Sequence, residues 1–589
     1  MRYRISLIIF LLACLSLADG RAPVHAGEIQ PTFLLDQEPA EKPDPRNYFM
    51  QPELLTLWRQ VLSRPESESE IRRQVAEAIV TARQMGHKEP LAAIPELKQL
   101  LSAENVHPGA VYSAARALIV LDDRSSAGTL FEVSQKGGKD LRQLVEPALA
   151  EWGFEGIRPT WKARIASVTT PRRDLILAIQ GLARQRDATA VDALLLLAMN
   201  ADHPAEIRLA AARAVGQITD QGQATNARTL VSRRGSPLID RLCAVSLIVR
   251  HPSEAAVALH QSLGTDPEPA VAGEALRSLF SFDPKLVLPL AEGALKSADA
   301  NVRRVGIQTY VTLPTPERIQ TLSLRLNDPH PELRGLVRES FFALSKNPDL
   351  EPTIRSSTIA ILGGDDWRGQ EQGALLLGAL DEESVANRLL TLLDSDRAEV
   401  KVATAWSLKS LEIPATAEPV LAFARRRTDS TEVVTLPQDR QLAHLFELLG
   451  KLKMAEAIPV MEAYIPKGPR YGITSRSAAV WAIGKILDGK VDEKLADQIM
   501  DRVMDFMSSP PEAFEVRRAG VLSLGHMKAQ SQLKGLRKLI GDEVDNDLME
   551  LTLRWAVLKI SGEALPIAPP LTLARSGWFL EPTPRAKAE

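Results

Sequence analysis

The sequence predicts an all-α fold, an α–α superhelix of about 15 helical hairpins. Three observations carry that prediction. Leucine and alanine are plentiful while aromatics make up only 5% of the 589 residues, a balance that favours helices over sheets. Apolar residues recur along one helical stripe, at i, i+4 and i+8. The stripe itself returns every 31–35 residues over most of the chain, and a period in that range marks a solenoid.

The first element is an address. Arg2 and Arg4 precede the apolar run from Ile5 to Ala18, which is too short to span a bilayer and suits the core of a signal peptide. Val24-His25-Ala26 offers a cleavage site before Gly27, and Ser16-Leu17-Ala18 an earlier one. Leu11-Leu12-Ala13-Cys14 is similar to a bacterial lipobox, which makes Cys14 a candidate for acylation. Residues 1–26 are therefore expected to direct export to the periplasm or the exterior, with an envelope lipoprotein as the variant anchored at Cys14. No later stretch approaches 18 uninterrupted apolar residues, so no transmembrane segment is expected after the signal. Residues 27–51, rich in Pro, Glu and Gln, read as a linker.

The repeats occupy residues 52–562. Their stripe starts at Ile71, Val111, Ile207, Val271, Val302, Leu333, Val400 and Val516. Four residues on stand Val75, Ala115, Ala211, Ala275, Gly306, Val337, Thr404 and Gly520, small or β-branched residues that let a neighbouring helix approach. Eight residues on stand larger residues, from Ile79 to Leu524, that fill the core. Weaker copies fit near Leu141, Asp174, Ile239, Trp367, Asp439 and Thr474. A second apolar segment precedes each stripe, and a polar turn such as Asp328-Pro329-His330-Pro331 separates the two. Proline suits a helix start, and an acid there suits the positive end of the helix dipole.

A helix, an Asp-containing turn and then V-R-x-x-A-x-x-A-L resembles the HEAT-repeat family, in particular the short HEAT-like repeats of the phycobilisome-lyase type. The motif stands here as Asp202 with Ile207-Arg208, Asp299 with Val302-Arg303, Asp328 with Leu333-Arg334, and Ile71-Arg72. The resemblance implies an Asp–Arg ladder between successive turns, drawn from Asp202, Arg208, Asp299, Arg303, Asp328 and Arg334. Val111-Tyr112, Val271-Ala272 and Val400-Lys401 lack the arginine, so those joints are expected to be looser or differently capped.

The chemistry-bearing residues are sparse. A net charge of −3 argues against a nucleic-acid binder. With Cys14 and Cys243 as the two cysteines, no disulfide framework, zinc ribbon or haem-attachment motif can be built. The nine histidines are scattered, and His203 and His330 read as turn residues, so no metal and no cofactor is expected. Gly484 to Lys490 spells most of a phosphate-binding loop, but Val491 replaces its Ser/Thr and a helix stop at Gly489 explains it better. Cys243, Trp367, Trp406, Trp481 and Trp555 read as core. Arg425, Arg426 and Arg427 read as an exposed loop and a candidate partner-binding patch.

Residues 563–589 form a Pro-rich tail that still carries Trp578, Phe579 and Leu580. An array needs its last apolar face covered, so residues 563–581 are expected to cap the final repeats with Trp578-Phe579 as anchor. A solenoid presents a long concave face to a protein or peptide. The expected function is thus a non-enzymatic interaction scaffold outside the cytoplasm, its partner an unidentified protein. The resemblance implies an alternative, a tetrapyrrole-binding or bilin lyase-like protein. Export and the shortage of mature cysteines count against it.

Overall fold

A hairpin of about 32 residues cannot bury its own apolar stripe, so the stripes drive neighbouring hairpins together. The computed structural model describes residues 29, 31–40, 47–64, 67–431, 433–541, 547–566, 572–574 and 577–581. The signal segment 1–26, with Cys14, lies outside them. Thirty α-helices among these residues alternate as first and second members of fifteen successive hairpins, from Pro52–Ser63 to Asp547–Ser561. The repeat is HEAT-like and the fold an all-α superhelix. Among the described residues no helix is long and apolar enough to cross a membrane.

The stripe is the core. Ile207, Val271, Val302, Leu333, Val400 and Val516 are buried, while Ile71 and Val111 are half-buried. The small residues four positions on meet the first helix of the same hairpin: a side chain on Gly520 would strike Val503. A further set of small residues faces the next hairpin. A Cβ on Gly484 would lie 2.4 Å from Ser523 Cα, so the second helices Ile473–Ile486 and Phe514–Met527 touch backbone to backbone. Cys243 is buried beside its stripe, and burial pushes its thiol up to about 11. Trp406 and Trp481 are buried; Trp367 and Trp555 are half-buried.

The chain divides into two compact units. One comprises the repeats up to Thr309 together with the described tail residues beyond 570. The other comprises the repeats from Tyr310 together with the described residues before 45. Both chain ends depart from the sequence-based expectation. Glu563 and Pro566 do meet the final hairpin, through Arg537 and Arg554, but the expected anchor Trp578-Phe579 does not sit there. Strand Thr572–Ala574 pairs in parallel with strand Asn47–Phe49, and Trp578 packs edge-on against Trp58 at 5.9 Å. The Trp58 indole N–H donates to the Phe579 carbonyl at 2.8 Å. The physical reason is at the other end of the array: among the described residues no hairpin precedes the helix Pro52–Ser63, and Trp58 brings both an apolar ring and a donor that needs an acceptor. Of the expected linker 27–51, the described residues 31–40 and 47–51 do more than connect. Residues 31–40 pack on the repeats with a short helical turn at Leu34–Gln37, and Asn47–Phe49 is the strand that receives the tail.

Candidate functional site

The arginine of the repeat motif works in two directions. It reaches back to the orphan carbonyls at the end of the preceding first helix: Arg208 to Ala198, Arg303 to Ser297 and Ala298, Arg334 to Asp328 and Pro329, Arg517 to Val503. Those carbonyls carry the negative end of the helix dipole, which a guanidinium neutralises. Arg208 also reaches forward to an acid of the next hairpin, Asp240, as do Arg142 to Asp174 at 3.1 Å and Arg476 to Glu512 at 2.7 and 2.8 Å. The ladder therefore runs from hairpin to hairpin rather than within one motif. Asp202 is exposed, and Arg208 takes Asp240 instead, because the acid 32 residues on lies on the neighbouring second helix. Asp299 and Asp328 act at helix starts, accepting the backbone N–H groups of Asn301 and Val302, and of His330. At the arginine-less joint of Val111-Tyr112 a cavity of about 1150 Å³ opens, lined also by Val106, Gly137 and Leu141.

Arg425, Arg426 and Arg427 lie in the last turns of the helix Ala417–Asp429, not in a loop. Arg426 and Arg427 both bridge to Asp394 of the preceding hairpin, at 3.0 and 3.3 Å, and stack over Phe423. Cations at a helix C-terminus are favoured by its dipole, which is why the helix runs on through them. Gly489 sits at φ +73° just beyond the helix Ile473–Ile486, as a helix stop requires. Among the described residues no group of three His, Cys, Asp or Glu side chains is arranged to hold a metal ion.

The site that the sequence did not reveal lies in the unit from Tyr310. From Trp367 onward its second helices lie side by side in one close layer, whereas the first helices Ala417–Asp429 and Ile458–Glu462 touch lightly. In a curved stack the closer layer is the inner one. Ile29 and residues 31–40 run along these second helices as a strap, extended at Phe33 and Glu38 with the helical turn Leu34–Gln37 between them, in the order of the repeats. The Ile29 N–H donates to Glu339 at 3.1 Å. Lys409 donates to the Thr32 carbonyl, and Phe33 stacks on His444 with ring centres 4.4 Å apart. The Leu35 N–H donates to Glu447 at 3.1 Å, and Arg518 donates to the carbonyls of Leu35 and Glu38. The Glu38 carboxylate accepts from Trp481 at 3.1 Å and from His526 at 2.8 Å, with Lys485 at 3.3 Å.

Five second helices thus hold one strap. Lys409, His444 and Glu447 form its buried centre: Lys409 lies 2.9 Å from Glu447 and 3.2 Å from His444. Burial pulls the lysine below its ordinary value and the imidazole down to about 4. Burial alone would raise Glu38, but the hydrogen bond and charge of His526, with Trp481 and Lys485, outweigh it and hold the carboxyl at about 2.

Because docking depresses Glu38, its contribution to holding the strap is whole above pH 4.5 and is lost as pH falls through about 2. Glu38→Gln is therefore expected to speed amide exchange in residues 29–40 at pH 7, with the difference from the native chain closing between pH 4.5 and 2. A difference that persists unchanged at pH 2 contradicts the assignment.

No protein-family model and no curated protein matches the sequence. Among solved structures, that of Kap95p with RanGDP is 12% identical, covering 86% of this chain and 72% of that one, with a TM-score of 0.49. Yeast importin-beta (Kap95p) aligns at 13% identity over the same shares, with a TM-score of 0.44. The CpcE–CpcF complex of phycocyanin lyase from Nostoc is 16% identical, covering 42% of this chain and 94% of that one, with a TM-score of 0.27. These are similarities of fold alone.

Proposed function

We propose that the protein is a non-enzymatic interaction scaffold that works outside the cytoplasm and binds a protein partner on the inner layer of its second helices. The observation that carries this reading is the strap: the inner layer of the unit from Tyr310 already holds a polypeptide segment, through main-chain groups as well as side chains. That is how a surface built to receive a peptide behaves. Export rests on the n-region, apolar run and cleavage site of residues 1–26. Nothing favours the lyase-like alternative, since Cys243, the one cysteine left after cleavage, is buried beneath its stripe.

The test is a cross-linked pull-down from the native cell envelope, with N-terminal sequencing of the recovered chain. A chain that begins at Gly27 and cross-links to a protein through residues of the helices Ala398–Leu411 to Phe514–Met527 is the expected result. An intact Met1 in a cytosolic fraction refutes export, and cross-links confined to the outer, first helices refute the binding face.

A further inference from the structure

We infer that the strap is a tethered stand-in for the partner: the inner layer between Glu339 and His526 is a site for a peptide carrying an aromatic residue five positions before a carboxylate, with a helical turn between the two, and the strap from Ile29 to Ala40 occupies it in cis. This rests on the scaffold reading above and names the chemistry of its ligand.

The receiving groups define that chemistry. An aromatic ring is read by the face of His444 and by Lys409, whose ammonium lies 5.8 Å from the Phe33 ring centre. A carboxylate five residues on is read by three donors from two helices, Trp481, Lys485 and His526. Between them Leu35 is buried, and Glu447 and Arg518 clamp its N–H and C=O. Lys485 and Arg518 bring positive charge to the end of the path that holds Asp36 and Glu38, while the charge of Lys409 is met by Glu447 and the Ile29 end faces Glu339. The clamps on main-chain groups accept any sequence, so specificity falls to the aromatic, the leucine and the terminal carboxylate.

The strap does not fill the groove it lies in. A cavity of about 630 Å³ remains beside Leu35 and Asp36, walled by Leu436, Tyr471 and Ile473, and Leu436 and Ile473 stay 64% and 49% exposed. A ligand that covers these side chains buries apolar surface that the strap leaves in water, which gives it the means to displace a covalently attached competitor. Strap and partner peptide exclude one another because both need Lys409, Glu447 and Arg518.

The experiment uses the full chain and a fluorescent synthetic peptide with the sequence of residues 29–40, IQPTFLLDQEPA. Two variants open the site: deletion of residues 29–40, and the point variant Phe33→Ala/Glu38→Gln, which keeps the chain length. A strap tethered in cis acts at an effective concentration of about 1 mM, so for a peptide whose Kd for the open site is about 10 μM the opened chains should bind on the order of 100-fold more tightly than the native chain. A peptide with Phe33 and Glu38 both replaced by alanine should not bind. Thermal unfolding shows whether each opened chain is folded; the point variant decides if the deletion is not. A folded, opened chain that ignores the peptide overturns the inference, as does equal binding by native and opened chains. Dimers of the native chain that are lost in the deletion variant would assign the groove to the strap of a second copy and overturn it too. If the envelope partner is captured equally by native and opened chains, the scaffold reading stands and the stand-in falls. If peptide binds but no partner cross-links to the inner layer, the reverse holds.

Discussion

Glu512→Ala is expected to destabilise the unit from Tyr310 by about 3–5 kcal/mol, the usual cost of removing one partner of a buried ion pair. Glu512 and Arg476 are 5% and 4% exposed, and their two parallel hydrogen bonds span successive hairpins. Arg476 also donates to the carbonyls of Tyr464 and Ile465 at the end of the preceding first helix. Without the carboxylate, a guanidinium remains in the interior with only carbonyls to face. Burial would raise the Glu512 carboxyl, yet the hydrogen bonds from Arg476 and the Ala513 N–H hold it below its usual range. Its contribution is thus complete above pH 4.5 and fades as pH falls below it. Denaturant unfolding of the native chain, Glu512→Ala and the double variant Arg476→Met/Glu512→Leu checks this. The double variant should recover most of the loss, because no charge is then left unpaired. A single variant within about 0.5 kcal/mol of the native chain would show that the pair is solvated.

Trp58→Ala is expected to cost the other unit about 3–5 kcal/mol, the range for a large aromatic removed from a core. Trp58 is fully buried, donates to the Phe579 carbonyl and packs on Trp578, which also meets His87 edge-on at 5.9 Å. Phe579 and Leu580 join the same core. Truncation before Pro570 should act on the same transition, since it removes both ring and acceptor, and should shift Trp58 emission to the red. The two losses should be far from additive, because each removes one side of a shared contact. A truncation that lowers only the transition of the unit from Tyr310 would place the tail where the sequence-based expectation had it.

The repeats were legible because burial is periodic: Ile207, Ala211 and Val215 announce one face of one helix, and many copies agree. The motif arginine was legible as a paired residue, though its first partners are backbone carbonyls at the end of the preceding helix, which no sequence pattern displays. The strap was not legible. Pro-Thr-Phe-Leu-Leu-Asp-Gln-Glu-Pro has no period, and its partners lie 310 to 488 positions away, from Ile29–Glu339 to Glu38–His526. A signal existed on the receiving side: His444 and Glu447 are wholly buried within the otherwise apolar run from Leu442 to Gly450. The tail showed the opposite blend. Trp578-Phe579-Leu580 declared that it would be buried, but not against which end, because both ends of an array present an unpaired apolar face.

The bond between Trp58 and Phe579 spans 521 residues of a 589-residue chain. A ribosome adds about 5–20 residues per second, so Trp58 waits roughly 30–100 s for the segment that covers it. The earlier hairpins can stack in that interval, but the leading edge of the first helix stays bare until translation is nearly over. A chain that stops short of residue 578 therefore keeps an apolar tryptophan face open to water, the kind of surface on which chaperones and proteases act. Completeness of synthesis is written into the fold at its first helix.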